Sequence, residues 1–434
     1  MKALIIAAGE GKRIRNLSRD LPKPLIPLLG LSLIERVILS AREAGVREFV
    51  VVVGFKGKRI MERLGDGSRY GVKIDYIENP DWRRGNGLSV LKAKGLISGK
   101  FLLMMADHVF DPGVLKDLLG RSVDKGGILV IDRKRREHID VEDATKVRIE
   151  GELIRDIGKG LKDYDGIDCG IFLLSEDVFD AIEESIESGD DTLSGGIKVL
   201  AKKGRMRWFD IGERFWVDVD NEESFKTAER LLLKSLVKET DGPVSRYLNR
   251  PISLRISRYL VNTKVTPNTI SWLSFSLSMI SGLIYFLGGW ASIAIAGLLA
   301  QVSSIIDGCD GEVARLKFQV SRYGGWLDSV IDRYADGMII LGMSYASWII
   351  ARNYMAWVFG FLALMGSLLN SYTAIKYDQI VKERKVRFRF GRDVRLFVIM
   401  LGSLTGLIFF TLIFLSLITN AENIRRLILV RHNT

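Results

Sequence analysis

Asp307, Asp310, Asp328 and Asp332 lie in the stretch SSIIDGCDGEVARLKFQVSRYGGWLDSVIDRYADG, residues 303–337, between two long apolar runs. The first pair is spaced i,i+3 and the second i,i+4, so each pair occupies one face of a helix. Two neighbouring helices can thus present four carboxylates to one another. A carboxylate inside a bilayer costs on the order of 2.5–3.5 kcal/mol even on insertion scales, which makes chance placement of four a poor explanation. Solvated helix ends are the bland alternative. Facing like charges favour divalent cations, and an all-oxygen ligand set points to Mg²⁺ or Mn²⁺ rather than zinc. Two such ions could clamp a pyrophosphate and leave one carboxylate free as a base. Gly311 and Ala314 keep the adjoining helix surface small, and Arg315 stands within reach of a phosphate lying there.

The elements that must hold these acids are apolar runs long enough to cross a bilayer: Asn268 to Leu287, Trp290 to Ile306, Leu327 to Ile350, Tyr354 to Ile375 and Val394 to Thr419. The last run is read as two helices hinged near Ser403-Leu404-Thr405-Gly406. Lys/Arg clusters at 246–264, 315–322, 376–395 and 425–431 all reach the cytoplasmic side only if the number of spans is even. The expectation for residues 266–434 is therefore an all-α domain of six transmembrane helices with its acids at the cytoplasmic end. Ahead of it, Arg246, Arg250, Arg255 and Arg258 interleave with Tyr247, Leu248, Ile252, Leu254, Ile256 and Tyr259. That pattern reads as an amphipathic helix in the headgroup region, with a soluble interdomain helix as the alternative. Asp241-Gly242-Pro243 marks the domain break, and residues 231–265 form the linker. The net charge of +11 points to the membrane surface and phosphorylated substrates rather than nucleic acid, because eight Lys/Arg fall between Lys376 and Arg395 beside an apolar run.

From Asp307 through Gly324 to Asp332 the string is D-x2-D-G-x2-A-R-x8-G-x3-D-x3-D, which resembles the signature of the CDP-alcohol phosphotransferase family; TPNTIS at 266–271 also fits. The resemblance implies six membrane helices around a cytoplasm-facing site with two metal ions. That site would cleave a CDP-alcohol, release CMP and pass the phosphoalcohol to a hydroxyl acceptor. It makes Asp307, Asp310 and Asp328 metal ligands, and Asp332 the general base and a further ligand. An anionic acceptor suits Arg387, Arg389, Arg392 and Arg395, which serve equally well as topology determinants or lipid contacts.

Residues 1–240 have the composition of a soluble protein. Lys2 to Ala8 is an apolar strand that runs into Gly9-Glu10-Gly11-Lys12-Arg13, followed by Pro22-Lys23-Pro24-Leu25. Glycines let backbone N–H groups approach phosphate oxygens, and Arg13 and Lys23 add charge-assisted donors; an ordinary tight turn is the alternative. Further strands at 49–54, 73–78, 100–107 and 127–132 alternate with helical stretches, giving an α/β, Rossmann-like domain with a mostly parallel sheet. Asp107 then falls beyond a strand's carboxyl end, where it either holds a cation against a triphosphate or caps a turn.

In order, AAGEGKR, PKPL, ENPDWRRGNGLSVLKA, MMADH and FWVDVDN resemble the sugar-phosphate nucleotidyltransferase family over residues 1–230. By that resemblance Ala8, Gly9, Gly11, Arg13 and Lys23 contact the nucleoside triphosphate, and Asn86 and Ser89 lie near its base or ribose. Asp107 and Asp218 bind Mg²⁺, and Lys159 meets the sugar phosphate. The loop departs from the family's usual pattern at Lys12, where Thr is common, and Asn16, where Pro is common.

One half makes a nucleotide-activated alcohol and the other consumes a CDP-activated one, so the shared nucleotide is CTP. The pairing resembles the bifunctional inositol-1-phosphate cytidylyltransferase/di-myo-inositol phosphate phosphate synthase family. That implies CTP and inositol 1-phosphate as substrates, CDP-inositol as intermediate, and a phosphorylated di-inositol phosphodiester as product, a heat-protective solute. A scarcity of glutamine amid plentiful charge agrees with a thermophilic source. The rival readings are transfer to a lipid, another polyol phosphate, or an ion-coupled transporter; the last explains neither the spacing nor the fused half. The first residues have too short an apolar run for a signal core, and Cys169 and Cys309 cannot build a disulfide framework, so a multi-pass cell-membrane protein with both sites facing the cytoplasm is expected. The sequence admits a homodimer without requiring one.

Overall fold

A computed structural model describes residues 1–14, 20–134, 136–238, 241–380 and 390–433. The chain divides into two compact units, Met1–Leu232 and Leu233–Thr434.

The first unit is built on strands β1 (Lys2–Ala7), β2 (Glu48–Val53), β3 (Lys73–Glu78), β4 (Phe101–Met105), β5 (His108–Phe110), β6 (Gly127–Asp132), β7 (Lys146–Glu150), β8 (Leu153–Gly158), β9 (Gly166–Leu174), β10 (Met206–Asp210) and β11 (Trp216–Asp218). Nine of them form one sheet in the order β3-β2-β1-β4-β9-β6-β10-β8-β7, and β5 pairs with β11 apart from it. Helices α1 (Leu33–Glu43), α2 (Gly57–Leu64), α3 (Asn86–Leu91), α4 (Gly113–Leu119), α5 (Asp177–Glu187), α6 (Leu193–Lys202) and α7 (Glu222–Ser235) complete the unit, the last running past its boundary. Leu4, Ile5, Val50, Val52, Leu102 and Leu103 are all buried, because strands apolar on both faces must be covered on both.

The expectation of a mostly parallel sheet needs correction. β3-β2-β1-β4 is parallel throughout, as is β6 with β10. β9, however, runs antiparallel to β4, β6 and β7, and β8 runs antiparallel to β7 and β10. β7 and β8 are separated only by Gly151 and Glu152, with Gly151 at φ +58°, and so short a link permits a hairpin but not a parallel crossover.

The second unit opens with a π-helical turn, Ser245–Asn249, and α8 (Arg250–Leu260), then α9 (Pro267–Tyr285), α10 (Trp290–Leu316), α11 (Arg322–Ala351), α12 (Met355–Ile380), α13 (Arg392–Leu404) and α14 (Ile408–Asn433). Among the described residues four helices are long and apolar enough to cross a membrane: α10, α11, α12 and α14. α9 has the length but carries Ser271, Ser274, Ser278 and Ser281 on one face, all buried. Their hydroxyls are satisfied inside the protein: Ser274 donates to the Ser303 carbonyl at 3.0 Å and Ser281 to that of Ala296 at 2.7 Å. Low hydropathy here marks close packing by small residues rather than contact with water. α13 is only 13 residues long, and the chain reverses after it through Gly406 at φ +73°.

On α8 the inward face is polar, with Ser253 and Ser257 buried, while Ile252 and Tyr259, and Tyr247 in the π-helical turn before it, are exposed. The serines donate to Glu312 of α10 at 2.6 and 2.7 Å, and Arg250 reaches the same carboxylate at 2.6 Å and Asp241 at 2.8 Å. Glu312 is fully buried. Arg250 would keep Asp241, but Nη1 and the buried Ser253 and Ser257 hydroxyls would lose their acceptor, so Glu312→Ala should destabilise the second unit by about 1–3 kcal/mol. Unfolding in mixed micelles, compared with Glu312→Gln, which keeps the shape and some hydrogen bonds, measures the difference.

Candidate active sites

In the first unit the chain leaves β1 through Gly11, whose φ is +65°; a Cβ there would meet the Lys23 side chain at 2.6 Å. Glycine is thus required for the loop to close on that lysine. Lys23 opens a short 3₁₀ turn after Pro22 and is almost wholly buried. Its Nζ lies 2.5 Å from both Asp107 Oδ2 and Asp220 Oδ1, and 3.5 Å from Asp218 Oδ1. Burial opposes the charge on Lys23, but the three carboxylates outweigh it and hold the pKa above the ordinary lysine value. Burial likewise opposes ionisation of Asp107, which Lys23 and His108 keep well below the usual carboxylate range.

β5 pairs with β11 so that His108 faces Asp218 directly. Residues opposite one another in an antiparallel pair share a face, which brings Asp218 to the end of β4 where Asp107 stands. Asp107, His108 and Asp218 each offer one ligand atom, all within 4.8 Å of one another. Asp218 Oδ1 is buried with no hydrogen-bond donor, a feature that suits a bound cation. Burial would lower the pKa of His108, but the Asp218 charge and the hydrogen bond with Asp107 lift it to about 9.

These groups open on a cavity of 310 Å³. Of the residues singled out in the sequence, Arg13, Asn86, Asp107, Lys159 and Asp218 line it; Ala8, Gly9, Gly11, Lys23 and Ser89 do not. Ser89 is buried and accepts from Asn79 Nδ2 at 2.9 Å. Arg13 and Lys159 converge on Asp143, with Nη1 at 2.5 Å and Nζ at 2.6 Å from its two oxygens. Their hydrogen bonds bring the Asp143 carboxyl down to about 2. Three residues of this site escape sequence reasoning: His108, Asp143 and Asp220. Asp220 had a signal, since the alternation in Val217-Asp218-Val219-Asp220 repeats an acid at the strand period. Asp143 lies in an acidic loop and had none.

In the second unit α10 and α11 bring Asp307, Asp310 and Asp328 together, with one oxygen of each within 4.8 Å of the others. Gly324 sits in the first turn of α11, where Ser321 caps the helix by accepting from its N–H at 2.9 Å; a Cβ there would crowd Ser321 Oγ at 3.0 Å and Asn268 Oδ1 at 3.4 Å. Ser271 donates to Asp310, and Ser274 to Asp307 at 3.2 Å, so the serine face of α9 also orients the acids. Asp328 Oδ1 is buried and without a donor. Three oxygen donors with an orphaned atom among them fit a hard divalent cation.

Asp332 stands apart from that triad and is paired with Arg392 at 2.6 Å. Arg392 also reaches Asp307 at 3.2 Å and Asp336 at 2.9 Å, and Arg395 meets Asp336 at 3.0 Å. Arg392 is thus engaged by three acids. Gly311 and Ala314 are half-buried beside Arg315, whose Nη2 donates to the Leu236 carbonyl at 3.3 Å while its buried Nε has no acceptor. Arg387 and Arg389 lie outside the described residues. Asp336 and Glu312 were not singled out in the sequence, although Asp336 continues the i,i+4 stripe from Asp328 and Asp332.

Comparison with known proteins agrees with this division. Residues 2–147 match the family described as Nucleotidyl transferase, and residues 264–428 that described as CDP-alcohol phosphatidyltransferase. The chain therefore joins a nucleotidyltransferase domain to a helical CDP-alcohol phosphotransferase domain. A protein of Aquifex aeolicus named bifunctional IPC transferase and DIPP synthase is 37% identical, covering 99% of this chain and 97% of its own length. One of the same name from Rubrobacter xylanophilus is 36% identical, covering 99% and 96%. The chain belongs to the bifunctional IPC transferase and DIPP synthase family. Among solved structures, the inositol-1-phosphate CTP transferase of T. maritima is 26% identical with a TM-score of 0.47, covering 53% of this chain and 95% of that one.

Proposed function

We propose that this chain catalyses two successive transfers: CTP and inositol 1-phosphate give CDP-inositol and diphosphate, then CDP-inositol and a second inositol 1-phosphate give di-myo-inositol phosphate phosphate and CMP. The observation that carries this reading is the 37% identity to a bifunctional relative across 99% of the chain. Residues 1–230 carry the first reaction, 231–265 form a linker with an interfacial helix, and 266–434 carry the second. The exposed Tyr247 and Tyr259 beside Arg246 and Arg258 support an interfacial α8. Six membrane helices, α9 to α14, with both sites on the cytoplasmic side, agree with the Lys/Arg clusters.

In the first reaction an oxygen of the inositol phosphate attacks the α-phosphorus of CTP, the α–β bridging bond breaks, and diphosphate leaves. No acid or base is needed, only alignment and neutralisation. Arg13 and Lys23 supply fixed positive charge along the triphosphate, Ala8, Gly9 and Gly11 the backbone approach, Asn86 and Ser89 the base and ribose contacts, and Lys159 the grip on inositol phosphate. In the second reaction an acceptor hydroxyl attacks the inositol-bearing phosphorus of CDP-inositol and CMP leaves. Asp332 takes the hydroxyl proton on Oδ2, which is held more loosely, by Arg333 at 3.7 Å, than Oδ1, by Arg392 at 2.6 Å. Gly311 and Ala314 leave room for the nucleotide and Arg315 meets its phosphate; Arg392 binds the anionic acceptor, a role the sequence also assigns to Arg389, which lies outside the described residues. Asp107 with Asp218, and Asp307, Asp310, Asp328 and Asp332, would hold divalent cations, Mg²⁺ or Mn²⁺, which when bound would supply Lewis-acid neutralisation of phosphate charge.

Labelled CTP and inositol 1-phosphate, followed by thin-layer separation, test the whole scheme. A water-soluble di-inositol product is expected. A chloroform-soluble product would show transfer to lipid instead, and absence of CMP release would overturn the second reaction in either form.

A further inference from the structure

His108 takes no part in the mechanism set out above, yet its position in the first site is tightly set. The β5–β11 register sets it opposite Asp218. Its ring stacks on Trp216 with centroids 5.8 Å apart. Behind it, Gly170 at φ +67° packs so closely that a Cβ would fall 2.6 Å from Nε2. The imidazole is therefore clamped on one face and at its far edge, and Nδ1 is the nitrogen presented to the acids.

What Nδ1 meets is divided cleanly between neighbours. Asp107 uses Oδ2 for Lys23, at 2.5 Å, and turns Oδ1 to His108 Nδ1 at 3.0 Å. Asp218 Oδ1, a buried oxygen that receives no hydrogen bond, lies 3.8 Å from the same nitrogen and 3.5 Å from Lys23 Nζ. Ligands about 2.1 Å from one ion stand about 3.0 Å apart at right angles and about 4.2 Å apart when opposed. Both separations from Nδ1 fall within that range.

We propose that His108 Nδ1 is a third protein ligand to the cation held by Asp107 and Asp218, and that this nitrogen tilts the nucleotidyltransferase site toward Mn²⁺ over Mg²⁺. This rests on the reading of Asp107 and Asp218 as a metal pair. The preference follows from ligand chemistry: Mg²⁺ favours oxygen and retained water, whereas imidazole raises affinity along the first transition series, beginning with Mn²⁺. The triad of the second unit is all carboxylate, so the two sites of one chain would differ in their metal response.

The test uses the full chain in detergent, carrying Asp307→Asn and Asp328→Asn so that bound Mn²⁺ reports the first unit. Electron spin echo spectra should show a histidine nitrogen coupling that changes on ¹⁵N-histidine labelling. In His108→Asn, whose amide keeps a hydrogen-bond donor near Asp107, the coupling should vanish. Mn²⁺ affinity should fall on the order of ten- to a hundredfold, and Mg²⁺ affinity far less. Mn²⁺ bound without nitrogen coupling, or a coupling that survives His108→Asn, overturns the histidine ligand but leaves the carboxylate pair standing. Mn²⁺ that fails to bind this variant chain at all overturns both.

Discussion

Asp332→Asn should abolish CMP release while pyrophosphate release from CTP and inositol 1-phosphate proceeds at the rate of the unaltered chain. Of the four motif aspartates, Asp332 is the one that stands outside the close triad, held at 2.6 Å by Arg392. An amide keeps the shape but cannot take the acceptor's proton, and loss of a positioned general base costs about 10²–10⁴-fold. The amide also leaves Arg392 with two acids rather than three, so part of the loss comes from a guanidinium free to shift toward Asp307 and Asp336. The measurement is CMP release from supplied CDP-inositol, run beside a pyrophosphate assay on the same preparation. Loss of both activities would contradict two independent sites.

The mirror experiment is Lys23→Met, which should lower pyrophosphate release by about 10²–10³-fold, the scale for removing one preorganised charge donor. CMP release from supplied CDP-inositol should be unchanged. Lys23 is buried among Asp107, Asp218 and Asp220, and methionine fills its volume without its charge. Three acids then keep only the partial compensation of His108, 3.0 Å from Asp107, and Arg13, 3.7 Å from Asp220, so the variant should also melt earlier, and added divalent cation should restore part of that difference. Arginine is not a conservative replacement here: the planar guanidinium is bulkier than an ammonium and the site encloses a point charge. Full activity in Lys23→Met would remove the lysine from the mechanism.

How far these sites are legible in sequence depends on the distance over which their geometry is set. Asp307 and Asp310, or Asp328 and Asp332, share a helix face because helical spacing is a local property, and the small residues at 311, 314 and 324 are equally local. The hinge near Ser403-Leu404-Thr405-Gly406 is local too, and the helix does break there, with Gly406 at positive φ. Strand direction is not local. β9 has the same apolar texture whether it runs parallel or antiparallel to β4, and the expectation of a mostly parallel sheet fails there.

By itself, then, the sequence determined the elements and the inventory: an α/β half with a glycine loop, lysine and aspartates, and a helical half with four acids at helical spacing. The serine face by which α9 packs on α10 was not singled out in the sequence, although the segment itself was read as a span. Only the tertiary structure decided the partners. Arg392 bridges Asp332, Asp307 and Asp336; Asp143 joins Arg13 to Lys159; Glu312 ties α8 to α10; and His108 is set opposite Asp218. The physical reason is that an ionic interaction depends on separation in space and on exclusion of water, and both are created only when segments tens or hundreds of residues apart pack together.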